Sequence, residues 1–233
     1  MLKEYLKELN IEPTDEMMKK FDVFSKMLLE WNEKINLTAI TEPEEIEIKH
    51  FADSLTILKT NKLNDGMSLI DIGCGAGFPS FPIKFALPDT KIVQLDSLNK
   101  RVNFLNAVSE ELGLKGINAI HCRAEEGGRN KDLREKFDIA SARAVASLPT
   151  LIELCVPFVK MGGYFIAMKG SDTDEEINSS KNALKLLGCE IEDVLSLSLP
   201  KFEHKRNIIV IKKNAPTEKR FPRNAPKPVK QPL

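Results

Sequence analysis

Three glycines at alternate positions constrain this chain more than any other feature: residues 68–79 read Ser-Leu-Ile-Asp-Ile-Gly-Cys-Gly-Ala-Gly-Phe-Pro. Ser68, Leu69, Ile70 and Ile72 make a short buried strand, with Asp71 near its C-terminal end. Gly73, Gly75 and Gly77 then form a tight turn, and Pro79 suits the first turn of a following helix. Glycines spaced in this way let a bulky ligand lie directly on the backbone. In an open α/β sheet such a ligand sits at the carboxyl ends of the strands. The spacing is not the dinucleotide fingerprint G-x-G-x-x-G, because Phe78 occupies the position of its third glycine. A nucleoside without a pyrophosphate fits better, and S-adenosylmethionine is the commonest such ligand. A plain strand-to-helix connection is the alternative.

The rest of the chain supplies the setting for that turn. The first 60 residues read as helical. Leu2, Leu6 and Leu9 share one face, and Thr14 can cap a longer helix in which Met17, Met18, Phe21, Phe24, Leu28 and Trp31 keep helical spacing. A further helix is expected around 51–59, after the acidic run Glu44-Glu45-Ile46-Glu47. From residue 67 strands and helices alternate. Strands are expected at 68–72, 91–96, 118–122, 137–142 and 163–168, and helices at 81–86, 99–112, 148–159 and 174–187. Such alternation implies a mostly parallel sheet covered on both faces. The last two strands, 190–197 and 206–212, have no helix between them and should pair antiparallel. Seven strands ending this way match the α/β, Rossmann-like architecture of class I S-adenosylmethionine-dependent methyltransferases. The expected division is a helical segment over 1–60 packed on the core, a methyltransferase domain over 61–213, and a basic, proline-rich tail over 214–233. The tail is expected to be extended.

Composition narrows the class. The chain has 233 residues, 42% hydrophobic and 29% charged, which suits one large globular domain with an accessory segment. No apolar run approaches the roughly 18 residues of a membrane helix. The N-terminus is charged and amphipathic, unlike a signal peptide. Cys74, Cys122, Cys155 and Cys189 are far apart, as expected of reduced thiols in a cytoplasmic protein with no zinc site or disulfide framework. The net charge of zero hides an asymmetry: residues 1–50 carry 7 basic and 12 acidic side chains, residues 201–233 carry 10 and 2. A basic C-terminal end can meet phosphates, or it can be a solvated tail.

Asp96 ends the second strand, at an offset from the glycines that suits a hydrogen bond to a ribose; capping the next helix is its alternative role. Asp71 can hold loop amides or receive the cofactor's ammonium through water; otherwise it caps the strand end. The third strand ends in His121-Cys122-Arg123-Ala124-Glu125-Glu126, where a backbone amide near Ala124 or Glu125 would meet the adenine edge. Glu125 reads equally well as a surface acid. After the fourth strand stands Ser141-Ala142-Arg143-Ala144-Val145-Ala146-Ser147. Exocyclic-amine methyltransferases place Asp/Asn-Pro-Pro-aromatic there, and cytosine-C5 enzymes a nucleophilic cysteine; here the nearest cysteine, Cys155, lies mid-helix. Arg143 has no acid–base role near neutral pH. Attack by guanine N7, which carries a lone pair and no proton, needs none. Arg143 could hydrogen-bond guanine O6 or stack on the base; a structural pair with a nearby acid is the alternative. Lys169, Lys205 and Arg206 add cations near the same rim, either a phosphate track or solvated surface residues. His50, His121 and His204 are scattered, and no metal site is expected.

These residues resemble the small-subunit rRNA guanine-N7 methyltransferase family, also called glucose-inhibited division protein B. The matching motifs are Trp31-Asn32 with Asn36-Leu37-Thr38, His50 with Asp53-Ser54-Leu55, the glycine turn, Arg123-Ala124-Glu125, Ser141-Ala142-Arg143-Ala144, Met168-Lys169-Gly170, and Arg206 with Lys212-Lys213. The resemblance covers nearly the whole chain. It implies methylation of guanine N7 at nucleotide 527 of 16S rRNA, with S-adenosylmethionine as donor and 16S rRNA or a small-subunit precursor as partner. It also implies cofactor contacts at Gly73, Phe78, Ala124, Glu125 and Arg143. Arg143 and Arg123 are the residues expected to orient the guanine. The other readings are a methyltransferase acting on another RNA, a protein or a small molecule, and a non-catalytic ribosome-assembly factor.

Overall fold

The computed structural model describes residues 1–143, 146–170, 173–199 and 205–233. Ala144, Val145 and His204, singled out from the sequence, lie outside the described residues. Seven strands form one sheet: β1 (Ser68–Ile72), β2 (Lys91–Asp96), β3 (Ile117–His121), β4 (Phe137–Arg143), β5 (Val159–Lys169), β6 (Cys189–Ser198) and β7 (Lys205–Lys213). Their order is β3-β2-β1-β4-β5-β7-β6. Strands β1 to β5 pair in parallel, and β7 runs antiparallel to both β5 and β6. The carboxyl ends of β1 to β5 therefore share one rim, with the start of β7 beside the end of β5.

Alternation along β1 explains how the sheet is covered. Leu69 packs with Ile83, Ile92, Ile139 and Ile166 on one face, whereas Ile70 and Ile72 pack with Leu151, Phe158 and Ile209 on the other. The N-terminal helices α1 (Leu2–Glu8) and α2 (Asp15–Ile35) lean on a further apolar cluster with α3 (Ser80–Ala86) and α4 (Asn99–Glu111). Met17, Phe21, Phe24 and Leu28 are the buried positions of α2, spaced four, three and four apart as one helix face requires. Thr14 caps α2, its hydroxyl accepting from the Met17 amide at 3.2 Å. Phe24 is fully buried and lies 5.0–5.8 Å, centroid to centroid, from Phe51, Phe78 and Phe81. This aromatic cluster fastens α2 to the glycine turn; truncating a ring such as Phe24 costs about 3–5 kcal/mol.

Local structure departs from the sequence expectations in several places. The helix expected at 51–59 starts earlier, as a composite that is α-helical at Pro43–Glu45, π-helical at Ile46–Ala52, α-helical at Asp53–Leu55 and 3-10 at Thr56–Thr60. Pro43 at the first position and Glu44 and Glu45 in the first turn explain the early start. Pro79 precedes α3 as its cap residue. Strand β3 is shifted one residue toward the N-terminus, and a short helix α5 (Ala124–Gly127) follows it. Helix α6 (Leu148–Cys155) ends at Cys155, which is its last residue, and passes into a 3-10 turn. The helix expected at 174–187 is two helices, α7 (Asp174–Ser179) and α8 (Lys181–Leu187). Between them the Ser180 hydroxyl donates to the Glu176 carbonyl at 2.6 Å, a back-bond that bends helices.

The C-terminal segment is neither extended into solvent nor free. Glu153 on α6 is fully buried, and Arg223 closes on it with a bidentate pair at 2.6–3.0 Å. Phe221 is buried in the main core, and Lys227–Lys230 forms a last short helix, α9, against α6. An unpaired carboxylate at Glu153 would be costly, and this local demand docks the tail.

Candidate active site

The glycine turn leaves β1 at the centre of the rim. Gly73, Gly75 and Gly77 have φ of 69°, 59° and 88°, the left-handed region that favours glycine. At Gly77 close packing is also decisive, because a Cβ there would stand 2.2 Å from the Phe81 ring. At Gly75 the reverse holds: a Cβ would meet nothing nearer than the Gly73 carbonyl at 4.0 Å. The turn is thus packed below and open above, which is the cradle a nucleoside cofactor needs. S-adenosylmethionine fits it.

Two buried acids brace the turn. Asp96 accepts from the Gly75 amide at 2.9 Å with one oxygen and from the Leu98 amide at 2.9 Å with the other, and Arg101 stands 3.5 Å away. It ties the turn to the corner after β2; α4 itself has no side-chain cap, so Asp96 does not cap that helix. Asp71 accepts from the Ser80 amide and the Ser141 hydroxyl, each at 3.2 Å. Burial pushes its carboxyl up to about 6 against these hydrogen bonds. Ala124 and Glu125 open α5, where a helix provides no acceptor for its own first amides. The Phe78 side chain does not face the cradle. It is buried, stacked on His50 with centroids 4.4 Å apart and covered by the Arg143 guanidinium at 4.9 Å.

Phe78 leads into a network that the sequence did not reveal. The Asn32 side-chain carbonyl accepts from the amides of Leu37 at 2.6 Å and Thr38 at 2.8 Å, fixing the turn after α2. The Thr38 hydroxyl meets His50 Nε2 at 2.8 Å. His50 Nδ1 faces an Arg143 terminal nitrogen at 3.4 Å. A guanidinium can only donate, so Nδ1 is the acceptor and the imidazole proton sits on Nε2, toward Thr38. Burial first, and the Arg143 charge second, pull His50 down to about 3, so it is neutral at physiological pH. Arg143 pairs with Asp53 at 3.0 Å, and Arg206 Nε binds the other oxygen of Asp53 at 2.9 Å. Asp53 is only 5% exposed, so its charge is held by the two arginines.

These residues line a groove of about 610 Å³ at the carboxyl ends of β4 and β5 and the start of β7. Lys49, His50, Asp53, Arg143, Lys169 and Arg206 are on its walls. Arg143 and Arg206 are brought together, as the sequence expectation requires, but through a shared acid. Lys169 is no free surface cation: its ammonium meets Glu176 at 2.8 Å and the Ala146 carbonyl at 2.9 Å. Lys205 is exposed. Arg123 is exposed at the end of β3, three strand positions from Arg143, or about 14 Å at strand spacing. The structure therefore does not join Arg123 to Arg143. His50 and Asp53 lie three residues apart on the composite helix, but nothing in that spacing names an arginine ninety positions on as the partner.

Comparison with known proteins agrees with this geometry. The family rRNA small subunit methyltransferase G matches residues 17–209. A protein of that name from Acetivibrio thermocellus is 54% identical over 219 residues, 94% of this chain and 90% of the relative. One from Clostridium botulinum strain Eklund 17B is 47% identical over 97% of this chain and 95% of its own length. Among solved structures, an S-adenosylmethionine-dependent O-methyltransferase from Thermotoga maritima shares the fold at a TM-score of 0.54 and 18% identity, covering 82% of this chain and 72% of that one. A precorrin-6y C5,15-methyltransferase from Geobacter metallireducens does so at 0.52 and 17%, covering 76% and 90%. With a family match running from α2 into β7 and relatives about half identical over nearly the whole length, this chain belongs to the rRNA small subunit methyltransferase G family.

Proposed function

We propose that this enzyme methylates N7 of a guanine in small-subunit rRNA, the one at nucleotide 527 of 16S rRNA that its family resemblance implies, without a general base. One observation carries the reading: among the described residues of the groove, each acid is paired with a cation and none stands free to act as a base. Asp53 is held by two arginines and Glu176 by Lys169. His50 is pulled down to about 3. Guanine N7 has a lone pair and no proton to lose, so alignment and charge stabilisation are sufficient.

When bound, S-adenosylmethionine supplies the electrophilic sulfonium methyl. The chain's own residues do the rest. The glycine turn and Asp96 set the cofactor's nucleoside at the rim, and the Ala124 and Glu125 amides meet the adenine edge. Arg143 and Arg206, one positive charge in excess of Asp53, favour guanine O6 and the flanking phosphates and leave the N7 lone pair free to attack. Arg143 is held rigidly by Asp53 and Phe78, so it acts through a fixed field at the groove rather than as a mobile hydrogen-bonding arm. Lys205 adds a phosphate contact at the groove's edge. Residues 1–60 act as the cover on the substrate side, 61–213 as the catalytic domain and 214–233 as an appended segment. The substrate is 16S rRNA or a small-subunit precursor, which makes the site of action the cytoplasm.

The test is methyl transfer from labelled cofactor to rRNA that lacks the modification, with the product mapped by N7-specific strand cleavage. Cleavage at a single guanine, nucleotide 527, is expected. Labelled rRNA that is not cleaved there removes this reading.

A further inference from the structure

The C-terminal segment grips the loop after β3. Arg134 holds both sides: one terminal nitrogen donates to the Gly128 carbonyl at 2.7 Å and the Phe221 carbonyl at 2.8 Å, the other to the Thr217 and Glu218 carbonyls at 2.7 and 3.1 Å. Arg129 Nε donates to the Pro222 carbonyl at 2.9 Å. Gly128, the cap residue after α5, lies so close to the Pro222 ring that a Cβ there would stand 3.0 Å from it. On its other side α5 rests on the core: a Cβ on Gly127 would meet Leu95 at 3.0 Å and Phe158 at 3.1 Å. The four-residue helix is clamped between sheet and tail, packed tightly on both contacts. Such a short helix has no cooperative stability of its own.

We infer that the C-terminal segment, through Arg134, is a positioning element for the cofactor's adenine rather than an RNA-binding arm. It rests on the reading that the Ala124 and Glu125 amides face the adenine edge. Residues 217–223 and Arg134 fix the far end of α5, and so the direction of those amides. The basic charge that suggested an RNA arm is partly consumed: Arg223 is spent on Glu153, while Lys219, Lys227 and Lys230 are exposed.

The experiment uses the full-length chain as wild type, Arg134→Gln, Arg134→Lys, and a triple variant with Lys219, Lys227 and Lys230 each changed to Gln. Binding of S-adenosylhomocysteine and of S-inosylhomocysteine is measured by calorimetry, with thermal melts alongside and rRNA affinity by filter binding. Hypoxanthine carries a proton on N1, where adenine offers an acceptor, so an amide that reads this edge discriminates between them. The wild type should prefer the adenine ligand. Arg134→Gln should lose about tenfold in affinity for it, the worth of roughly one charged hydrogen bond, and most of the preference. Arg134→Lys, which keeps the charge without the fork, should fall between. The triple variant should keep cofactor affinity, and rRNA affinity within about twofold, since lysines on a segment that is not an RNA arm meet no phosphate. Arg134→Gln that melts cooperatively and keeps the wild-type preference overturns the inference. So does loss of rRNA binding in the triple variant with cofactor binding intact in Arg134→Gln. A wild type with no preference between the two ligands removes instead the adenine reading beneath it, and the inference with it.

Discussion

Arg143 at the end of β4 and Asp53 on the composite helix meet at 3.0 Å, and both are largely shielded from water. This contact joins the N-terminal helical region to the rim of the sheet. Because Arg206 shares the same carboxylate, one acid orients two cations at the groove. Removing that acid leaves two partly buried positive charges facing each other.

Asp53→Asn should therefore destabilise the protein by about 3 kcal/mol, the low end for breaking a buried pair from one side. Affinity for S-adenosylhomocysteine should stay within about twofold, since Asp53 does not touch the glycine turn. Combining it with Arg206→Gln should be less than additive, with a coupling of roughly 0.5–3 kcal/mol in urea unfolding. Strict additivity would show that the two groups do not depend on each other.

Gly75→Val should abolish binding of S-adenosylhomocysteine in calorimetry. The valine would stand in the open cradle, and its branched side chain at φ of 59° adds local strain. At about 1–2 kcal/mol, that strain lowers the melting temperature by roughly 2–8 °C in a chain of this size. A folded variant with normal affinity would disprove the location of the cofactor.

His50 predicts a pH signature. Its folded-state pKa, about 3, lies below the ordinary 6.5, so the unfolded chain takes up the proton first. Its contribution is complete above pH 6.5 and is lost progressively as pH falls toward 3. Asp71 works in the opposite sense. Raised to about 6 from 3.8, it makes the folded state hold a proton that the unfolded state has released, so its contribution grows as pH falls from 6 to 3.8. The two oppose each other in that window, and a variant is needed to separate them. At pH 8, His50→Gln should be less stable than wild type. The gap should shrink below pH 6.5 by up to about 1.4 kcal/mol per pH unit. A gap that is constant from pH 8 to 5 argues against a buried neutral imidazole.

The absence of a poised base among the described groove residues predicts the rate profile. With cofactor and rRNA saturating, the single-turnover rate of methyl transfer should be flat between pH 7 and 9. His50 and Asp71 titrate below that range. A rate that climbs tenfold per pH unit within it would reveal a general base and redirect attention to another acceptor atom.

Much of the fold was legible in the sequence. Strands β1 and β2 have the bounds that alternation and flanking turn residues imply, and Thr14 caps α2 through its own side chain. The antiparallel end of the sheet followed from the missing helix between its last two strands. These signals are local: side-chain period, positive φ at glycine and cap chemistry act within a few residues. The break at Ser180 escaped because a serine back-bond competes with helix propensity without disturbing the apolar pattern.

By itself, then, the sequence determined the sheet and the open turn at Gly73 to Gly77, since backbone conformation there is dictated by the residues that occupy it. Only the tertiary structure decided what the charged side chains do. Asp53 is 90 residues from Arg143 and 153 from Arg206, and Glu153 is 70 from Arg223. A buried charge must find an opposite charge wherever folding brings one, and composition does not say where that is. The same requirement turned a tail that reads as free and basic into one docked on α6, beside the loop after β3.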